Sequence, residues 1–296
     1  MRLSTSTNLF AYRPDGSFIP ILESMHRCAE AGYKVLDINL CDVTRSYYRI
    51  ADPDWRDWVK EVSETAKQLG LSFSQSHTPF YNVLDPKFPL RKEYETMVRR
   101  SIESSGMLGV SWIVIHAGTW TEDNRSLSLS KKKNMEYFRP HLELAKKYNC
   151  GIAIENLVDY RSADGSRGLR NFSADYEVLC DLVDSLALEF DNVGVCWDFG
   201  HANLMKIDQP TALRYINKRL KATHVADNSG INDDHIIPFM GTVDWRSIMP
   251  VLQEIDYQGD FTYEIHNVST RIPACLLSDI GRYTVAVGHT LLAMQR

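Results

Sequence analysis

The sequence predicts a single (β/α)8 barrel, on three observations. Short apolar runs alternate with amphipathic segments from one end of the 296-residue chain to the other. The alternation repeats eight times with short connections and no long linker, the pattern of a parallel sheet closed on itself. Several apolar runs end abruptly in His, Glu or Asp, which is how buried parallel strands present chemistry at their carboxyl ends. Residues 1–296 are therefore expected to form one domain. An open doubly wound sheet would need a Gly-rich phosphate turn after its first strand, and Asn8 to Gly16 offers none.

Leu3 to Asn8 is a short Ser/Thr-rich strand candidate, followed by a helix over Ile19 to Gly32. That helix carries Ile21, Leu22, Met25, Cys28 and Ala29 on one face and stops at a glycine. Tyr33 to Leu40 reads as a strand, and Asp54 to Gly70 as an amphipathic helix closed by Gly70. Leu71 to Ser76 is a third strand running into His77, with a helix over Glu93 to Gly109. Ser111 to Ile115 is a strand delivering His116, and Lys131 to Tyr148 a helix whose lysine run is a solvated start. Gly151 to Ile154 delivers Glu155 and Asn156, and a polar loop follows from Asp159 to Asn171. Ser173 is the expected N-cap of a helix continuing to Ala187. The run from Val193 ends in Asp198 and His201 and gives way to polar loop. A helix over Thr211 to Leu220, a strand over Lys221 to Val225 with His224, and a helix over Asp244 to Ile255 come next. Phe261 to Ile265, carrying Glu264, is the eighth strand, and the last helix lies before Met294.

With 33 Lys and Arg against 38 Asp and Glu, no global attraction to nucleic acid or an anionic membrane is expected. The six cysteines are scattered, without a Cys-x-x-Cys pair or a disulfide framework. The first residues lack the apolar region of a signal peptide, and no segment is long and apolar enough to span a bilayer. A cytoplasmic location is the expectation.

The strand-end residues His77, His116, Glu155, Asp198, His224 and Glu264 mostly recur at intervals of about 40 residues, one β-α unit. A barrel would gather them on one face. Packing does not require carboxylates and imidazoles there, and desolvating them together is costly without a cation. Oxygen and imidazole donors without thiolate suit Mn²⁺ or Zn²⁺, with Co²⁺, Mg²⁺ and Fe²⁺ also compatible. Glu155, Asp198, His224 and Glu264 form the expected core site for one divalent ion. His77, His116, His201, Asp233 and His235 are candidates for additional metal or substrate contacts, with Asp234 a further candidate from the loop after the seventh strand.

Four motifs in combination resemble the xylose isomerase-like TIM barrel superfamily. They are Ile154-Glu155-Asn156-Leu157, Asp198-Phe199-Gly200-His201-Ala202-Asn203, His224-Val225-Ala226-Asp227-Asn228, and Asp234-His235 followed by Pro238, Gly241 and Asp244-Trp245. The match is nearer to the branch of sugar and sugar-phosphate isomerases and epimerases, which shares its fold with endonuclease IV-type AP endonucleases. The resemblance implies a divalent metal held by Glu155, Asp198, His224 and Glu264. It also implies Glu155 and Glu264 as the acid/base pair and His201 as a contact to the bound sugar. The reaction would be proton abstraction α to a carbonyl through an enediolate. One departure is Phe239, which stands where glycine is common in the family's Pro-Gly-x-Gly loop and is expected to reshape the substrate entrance.

Trp120 and Phe239 are further candidates for stacking on a sugar ring. Arg161, Arg167 and Arg170 could bind a phosphate or carboxylate, though a solvated loop is the preferred reading. A sugar lyase or dehydratase is one rival chemistry. An endonuclease IV-like phosphodiesterase with up to three Zn²⁺ is another, with His77, His116 and Glu155 serving one ion and His201, Asp233 and His235 a third. Against it stands an acidic chain without dense Lys/Arg in its strand-end loops. A sugar-binding module without catalysis is the remaining reading. The expected partner is a small-molecule sugar or sugar phosphate. Association into a homo-oligomer is compatible with such barrels, though no interface is legible.

Overall fold

The computed structural model describes residues 1–41, 49–122, 126–159 and 170–294. Within these residues the strands are β1 (Leu3–Ser6), β2 (Val35–Asn39), β3 (Ser72–His77), β4 (Trp112–His116), β5 (Gly151–Glu155), β6 (Val193–Asp198), β7 (Leu220–His224) and β8 (Phe261–Tyr263). The helices are α1 (Ile21–Ala31), α2 (Trp55–Leu69), α3 (Arg91–Leu108), α4 (Leu127–Lys147), α5 (Tyr176–Ala187), α6 (Phe199–Leu204), α7 (Gln209–Ile216), α8 (Trp245–Glu254) and α9 (Leu277–Ala293). All paired strands run parallel, in the order β7-β6-β5-β4-β3-β2-β1-β8. The ring closes at a narrow seam between β7 and β8. Val225 and Tyr263 form a parallel bridge there, Val225 N–H donates to Thr262 O at 2.8 Å, and Glu264 N–H donates to Val225 O at 3.1 Å. The fold is the (β/α)8 barrel that the sequence predicts.

Helix ends follow local chemistry. Gly70 and Gly109 close α2 and α3 in the left-handed region, at φ of 65° and 73°. Three expectations need correction. Helix α4 begins at Leu127, ahead of Lys131, because Ser126 caps it by accepting from Leu129 N–H at 3.3 Å. Helix α5 is capped by Asp175 and not Ser173: Asp175 accepts from Glu177 and Val178 N–H, while Ser173 is buried in a preceding 3-10 turn. Residues after Asp198 form α6 instead of loop, since Asp198 Oδ1 accepts from His201 N–H at 2.6 Å.

Side chains two apart along a strand share a face, and the interior stacks accordingly. Val114, Ala153, Cys196 and Ala222 form a small apolar layer, with Trp112 packed against it. His116, Glu155, Asp198 and His224 follow two residues later on the same strands, so the layer seats the strand-end groups. Below it, Trp112 lies so close to Gly151 that a Cβ at that position would overlap its ring. All six cysteines are free. Among the described residues, no helix is long and apolar enough to cross a membrane.

Gly151→Ala should therefore cost about 1–3 kcal/mol of stability through overpacking. The urea midpoint reads it, and a Gly151→Ala, Trp112→Phe double variant should recover part of the loss.

Candidate metal centre

Glu155 is the hub. It projects from the end of β5 and is 1% exposed. His116 Nε2 lies 2.7 Å and His77 Nε2 3.2 Å from its Oε2, while His224 Nδ1 lies 2.9 Å from its Oε1. Glu264, just past β8, brings its Oε2 to 3.3 Å from His224 Nδ1. The donor atoms of Glu155, Asp198, His224 and Glu264 all lie within 4.8 Å of one another, as do those of His77, His116 and Glu155 and those of His201, Asp233 and His235. The barrel thus brings together nine of the ten candidates read from the sequence; the tenth, Asp234, turns to Ser229, accepting from its N–H at 3.0 Å and its hydroxyl at 2.8 Å.

Backbone carbonyls aim three of the imidazoles. His77 Nδ1 donates to Thr78 O at 2.7 Å, His201 Nδ1 to Asn156 O at 2.8 Å, and His235 Nδ1 to Glu264 O at 2.8 Å. Each ring then presents Nε2 to a carboxylate: His201 Nε2 lies 3.6 Å and His235 Nε2 3.1 Å from Asp233 Oδ2. Fixing one ring nitrogen on an acceptor to leave the other as donor is the usual arrangement behind a metal-ligating histidine. Asn156 ties two strand ends together, accepting from Asp198 N–H at 2.6 Å and donating to Asp198 O at 3.0 Å.

Electrostatics fit a cation. Burial opposes ionisation of Glu155, but His224 and His116 outweigh it and hold the carboxyl well below its usual range. Burial pushes Asp198 up to about 6, against the pull of His201. Burial would lower His224, yet Glu155 and Glu264 carry it up to about 9; for His235 burial is likewise outweighed, by Asp233, and it rises to about 10. Asp233 resists its own burial and is held far below normal by His201 and His235. Asp198 Oδ2 is buried and has no hydrogen-bond partner among the described residues, although Oδ1 is committed to the α6 cap. A buried, unpaired carboxylate oxygen within a group of three acids and a histidine suits a divalent ion.

Seven of these groups, His77, His116, Glu155, His201, Asp233, His235 and Glu264, line a cavity of about 860 Å³ at the carboxyl ends of the strands, while Asp198 and His224 are buried outside its lining. Trp120 and Phe239 do not line it. Lys133 Nζ sits 3.9 Å above the Trp120 ring, and Phe239 lies on the outer loop, half exposed, with φ of 74°. The aromatic that replaces the family's glycine therefore does not shape this cavity. Arg170 reaches Asp175 at 3.4 Å, and Arg161 and Arg167 lie outside the described residues. Sequence reasoning missed three polar groups. His266 and Cys41 line the cavity, His266 packing on His235 with ring centroids 4.2 Å apart. Asp37 is buried below, pushed up to about 6 by burial and coupled in charge to His224 and His77. Cys41 and His266 follow strand ends, a signal available for His266, two residues after Glu264, whereas Asp37 lies inside β2.

The chain belongs to the xylose isomerase-like TIM barrel family, which it matches over residues 25–280. Among curated relatives, the uncharacterized protein y4fM of Sinorhizobium fredii is 28% identical over 209 residues, covering 70% of this chain and 63% of its own length. The chain thus spans less than two thirds of that relative. The fructoselysine 3-epimerase of Shigella flexneri is 22% identical over 222 residues, covering 70% of this chain and 71% of the relative. Among solved structures, a D-tagatose 3-epimerase-like protein superposes at a TM-score of 0.74 with 20% identity, covering 99% of this chain and 98% of the other. The IolI protein with a bound zinc atom superposes at 0.77 with 17% identity, covering 100% and 99%. These likenesses are of fold.

Protonated His224 must lose its proton to bind an ion in the four-residue core, and protonated His235 must lose its own for an ion in the outer triad. Both histidines are raised, so below about 9 metal competes with protons, and affinity should climb with pH from 6 to 9. Titration calorimetry with Mn²⁺ or Zn²⁺ in buffers of different ionisation enthalpy should register at least one proton released per ion bound.

Proposed function

We propose that the protein is a divalent-metal-dependent sugar or sugar-phosphate isomerase or epimerase, moving a proton α to a carbonyl through an enediolate. The observation that carries the reading is the convergence of the donor atoms of Glu155, Asp198, His224 and Glu264 within 4.8 Å of one another, with Glu155 and Glu264 lining the cavity. Sugar-epimerase relatives and structural neighbours lend further support, as does the zinc named in the IolI structure. Mn²⁺ and Zn²⁺ are the favoured ions, with Co²⁺ and Mg²⁺ compatible. The ion would polarise adjacent sugar oxygens and stabilise developing negative charge.

The residues' own contributions follow from their surroundings. Glu155 and Glu264 line the same cavity and would act as the acid/base pair, one taking the proton and the other returning it. Glu264 is the more accessible, its side chain 12% exposed against 1% for Glu155. Glu155 is engaged by three imidazoles and must loosen one contact to accept a proton. His201 keeps Nε2 toward the cavity for a sugar hydroxyl.

A second reading is a multinuclear phosphodiesterase, favoured by one observation: His77, His116 and Glu155, and His201, Asp233 and His235, form triads of their own. The formal charge of −5 weighs against a nucleic acid partner.

Two measurements separate the readings. Metal analysis should return about one ion per chain for the isomerase or epimerase and about three for the phosphodiesterase. In D2O, a panel of ketoses should incorporate deuterium next to the carbonyl. Glu264→Gln should slow that exchange about 10²- to 10⁴-fold with the circular dichroism spectrum unchanged. No exchange with any ketose by the metal-loaded protein would sink the proposal.

A further inference from the structure

The acid beneath the metal centre takes no part in the chemistry above. Asp37 is 1% exposed in the interior of β2, a position where an ionisable side chain is rare unless it has a partner. The β2–β3 ladder slips by one residue at this point: Leu36 pairs with Phe73, but Asp37 pairs with Gln75, leaving Ser74 over. Asp37 and Gln75 therefore share one level of the barrel. Gln75 crosses the interior, its Nε2 donating at 3.4 Å to the carbonyl of Thr223, the residue before His224. On its other side Asp37 pairs with Ser6 of β1. Burial opposes ionisation of Asp37, and the opposite charge that acts on it most is His224, with His77 next.

His224 has the complementary need. Its Nδ1 lies 2.9 Å from Glu155 Oε1 and 3.3 Å from Glu264 Oε2, so Nδ1 is the atom that faces an ion on the four-residue core. Nε2 then carries the one remaining ring proton. A metal-ligating imidazole almost always passes that proton to a carboxylate, a carbonyl or a water. Yet His224 Nε2 is buried and has no hydrogen-bond partner among the described residues. The same is true of Asp37 Oδ1, and of Ser4 Oγ on the strand beside β2. Because Asp37 and His224 share no direct hydrogen bond, a bridging water is what would join them, and such a water needs two or more polar partners.

We propose that Asp37 is a positioning residue for the metal centre: one buried water accepts from His224 Nε2 and donates to Asp37, which fixes the imidazole with its Nδ1 lone pair toward the ion. Asp37 itself does not line the cavity and touches neither ion nor substrate. The inference rests on the metal-dependent reading above and is independent of which sugar is bound. It also gives the buried acid a reason to be there. In the metal-free protein Asp37 is a desolvated group with an idle oxygen, and its contribution appears when His224 holds an ion.

Calorimetric titration of the metal-free full chain with Mn²⁺ tests it, paired with the urea midpoint of the same metal-free proteins. Asp37→Leu removes the acceptor and should weaken Mn²⁺ binding at the tightest site about 10- to 100-fold. Asp37→Asn keeps an acceptor oxygen without the charge, and its affinity should lie between. The urea midpoint of metal-free Asp37→Asn should match or exceed that of the unaltered chain, since a buried acid is removed. Unchanged affinity in Asp37→Leu would overturn the proposal, as would unchanged affinity in Asp37→Asn should Asp37→Leu not fold. Equal losses in the two variants would mark a charge acting at a distance and overturn it as well. A urea midpoint that falls in Asp37→Asn would assign Asp37 to holding β1 and β2 together, again against the proposal. In all these cases the metal-dependent reading stands. No binding of Mn²⁺ or Zn²⁺ by the unaltered chain would overturn that reading, and the role of Asp37 with it.

Discussion

The site depends on keeping one carboxylate ionised where water is nearly absent. Glu155 is buried at the end of β5, and imidazoles from β3, β4 and β7 converge on its two oxygens. An isolated carboxylate there would take up a proton, because burial disfavours charge. Three strands thus have to end at one height, each contributing its last residue. The small layer of Val114, Ala153, Cys196 and Ala222 beneath supplies that common height. Closure of the barrel is part of the same constraint. The seam at Val225 and Tyr263 lies between His224 and Glu264, so the bonds that shut the ring also fix the distance between two prospective ligands.

The outer residues of the site hang on a second buried acid. Asp227 is fully buried and accepts from Asn228, Phe239 and Val243 N–H and from Trp245 Nε1, each near 3.0 Å. This cluster folds the loop carrying Asp233 and His235 back over the strand ends. Gly241 is required because a Cβ there would collide with Asp227 and Asn228. Phe239 pays a conformational penalty, of the order of 1 kcal/mol, for its left-handed backbone. That conformation is the physical reason glycine is common at the position.

Strand order, closure and the six strand-end ligands were legible because barrel strands repeat at a nearly constant interval and expose their last inward residue; His201, Asp233 and His235 lie beyond the strands and were read as neighbours of those ends. Other features were not. Helix α6 hides behind a motif that reads as a loop, since its start depends on Asp198 acting as cap and prospective ligand at once. Asp37 lies in the interior of β2, where periodicity predicts packing, and only the assembled barrel brings it under His224. Trp120 and Phe239 are conspicuous aromatics in loops, but loop direction is set by tertiary contacts that no spacing encodes. Lys133 covers one ring, and the Asp227 cluster turns the backbone of the other outward.

His201 shows how one arrangement serves two chemistries. Its Nδ1 is committed to Asn156 O, so Nε2 alone is available, and that atom faces Asp233 and His235. Without an ion, Asp233 and its neighbours raise His201 and His235, and the two imidazoles hold Asp233 as a carboxylate; a single ion on Glu155, Asp198, His224 and Glu264 would leave these contacts in place. His201 is then a hydrogen-bond donor for a sugar oxygen, supplied with charge by its own network. A further ion on the same three side chains would require the two imidazoles to lose their extra protons, and His201 Nε2 would turn its lone pair to the metal. Proton count decides between the two. The nearest cost is separating His235 from Asp233, a partly exposed pair, whereas the four-residue core holds Asp198 Oδ2 with no partner at all among the described residues. The core therefore gains most from the first ion, and any second ion must displace contacts that are already satisfied.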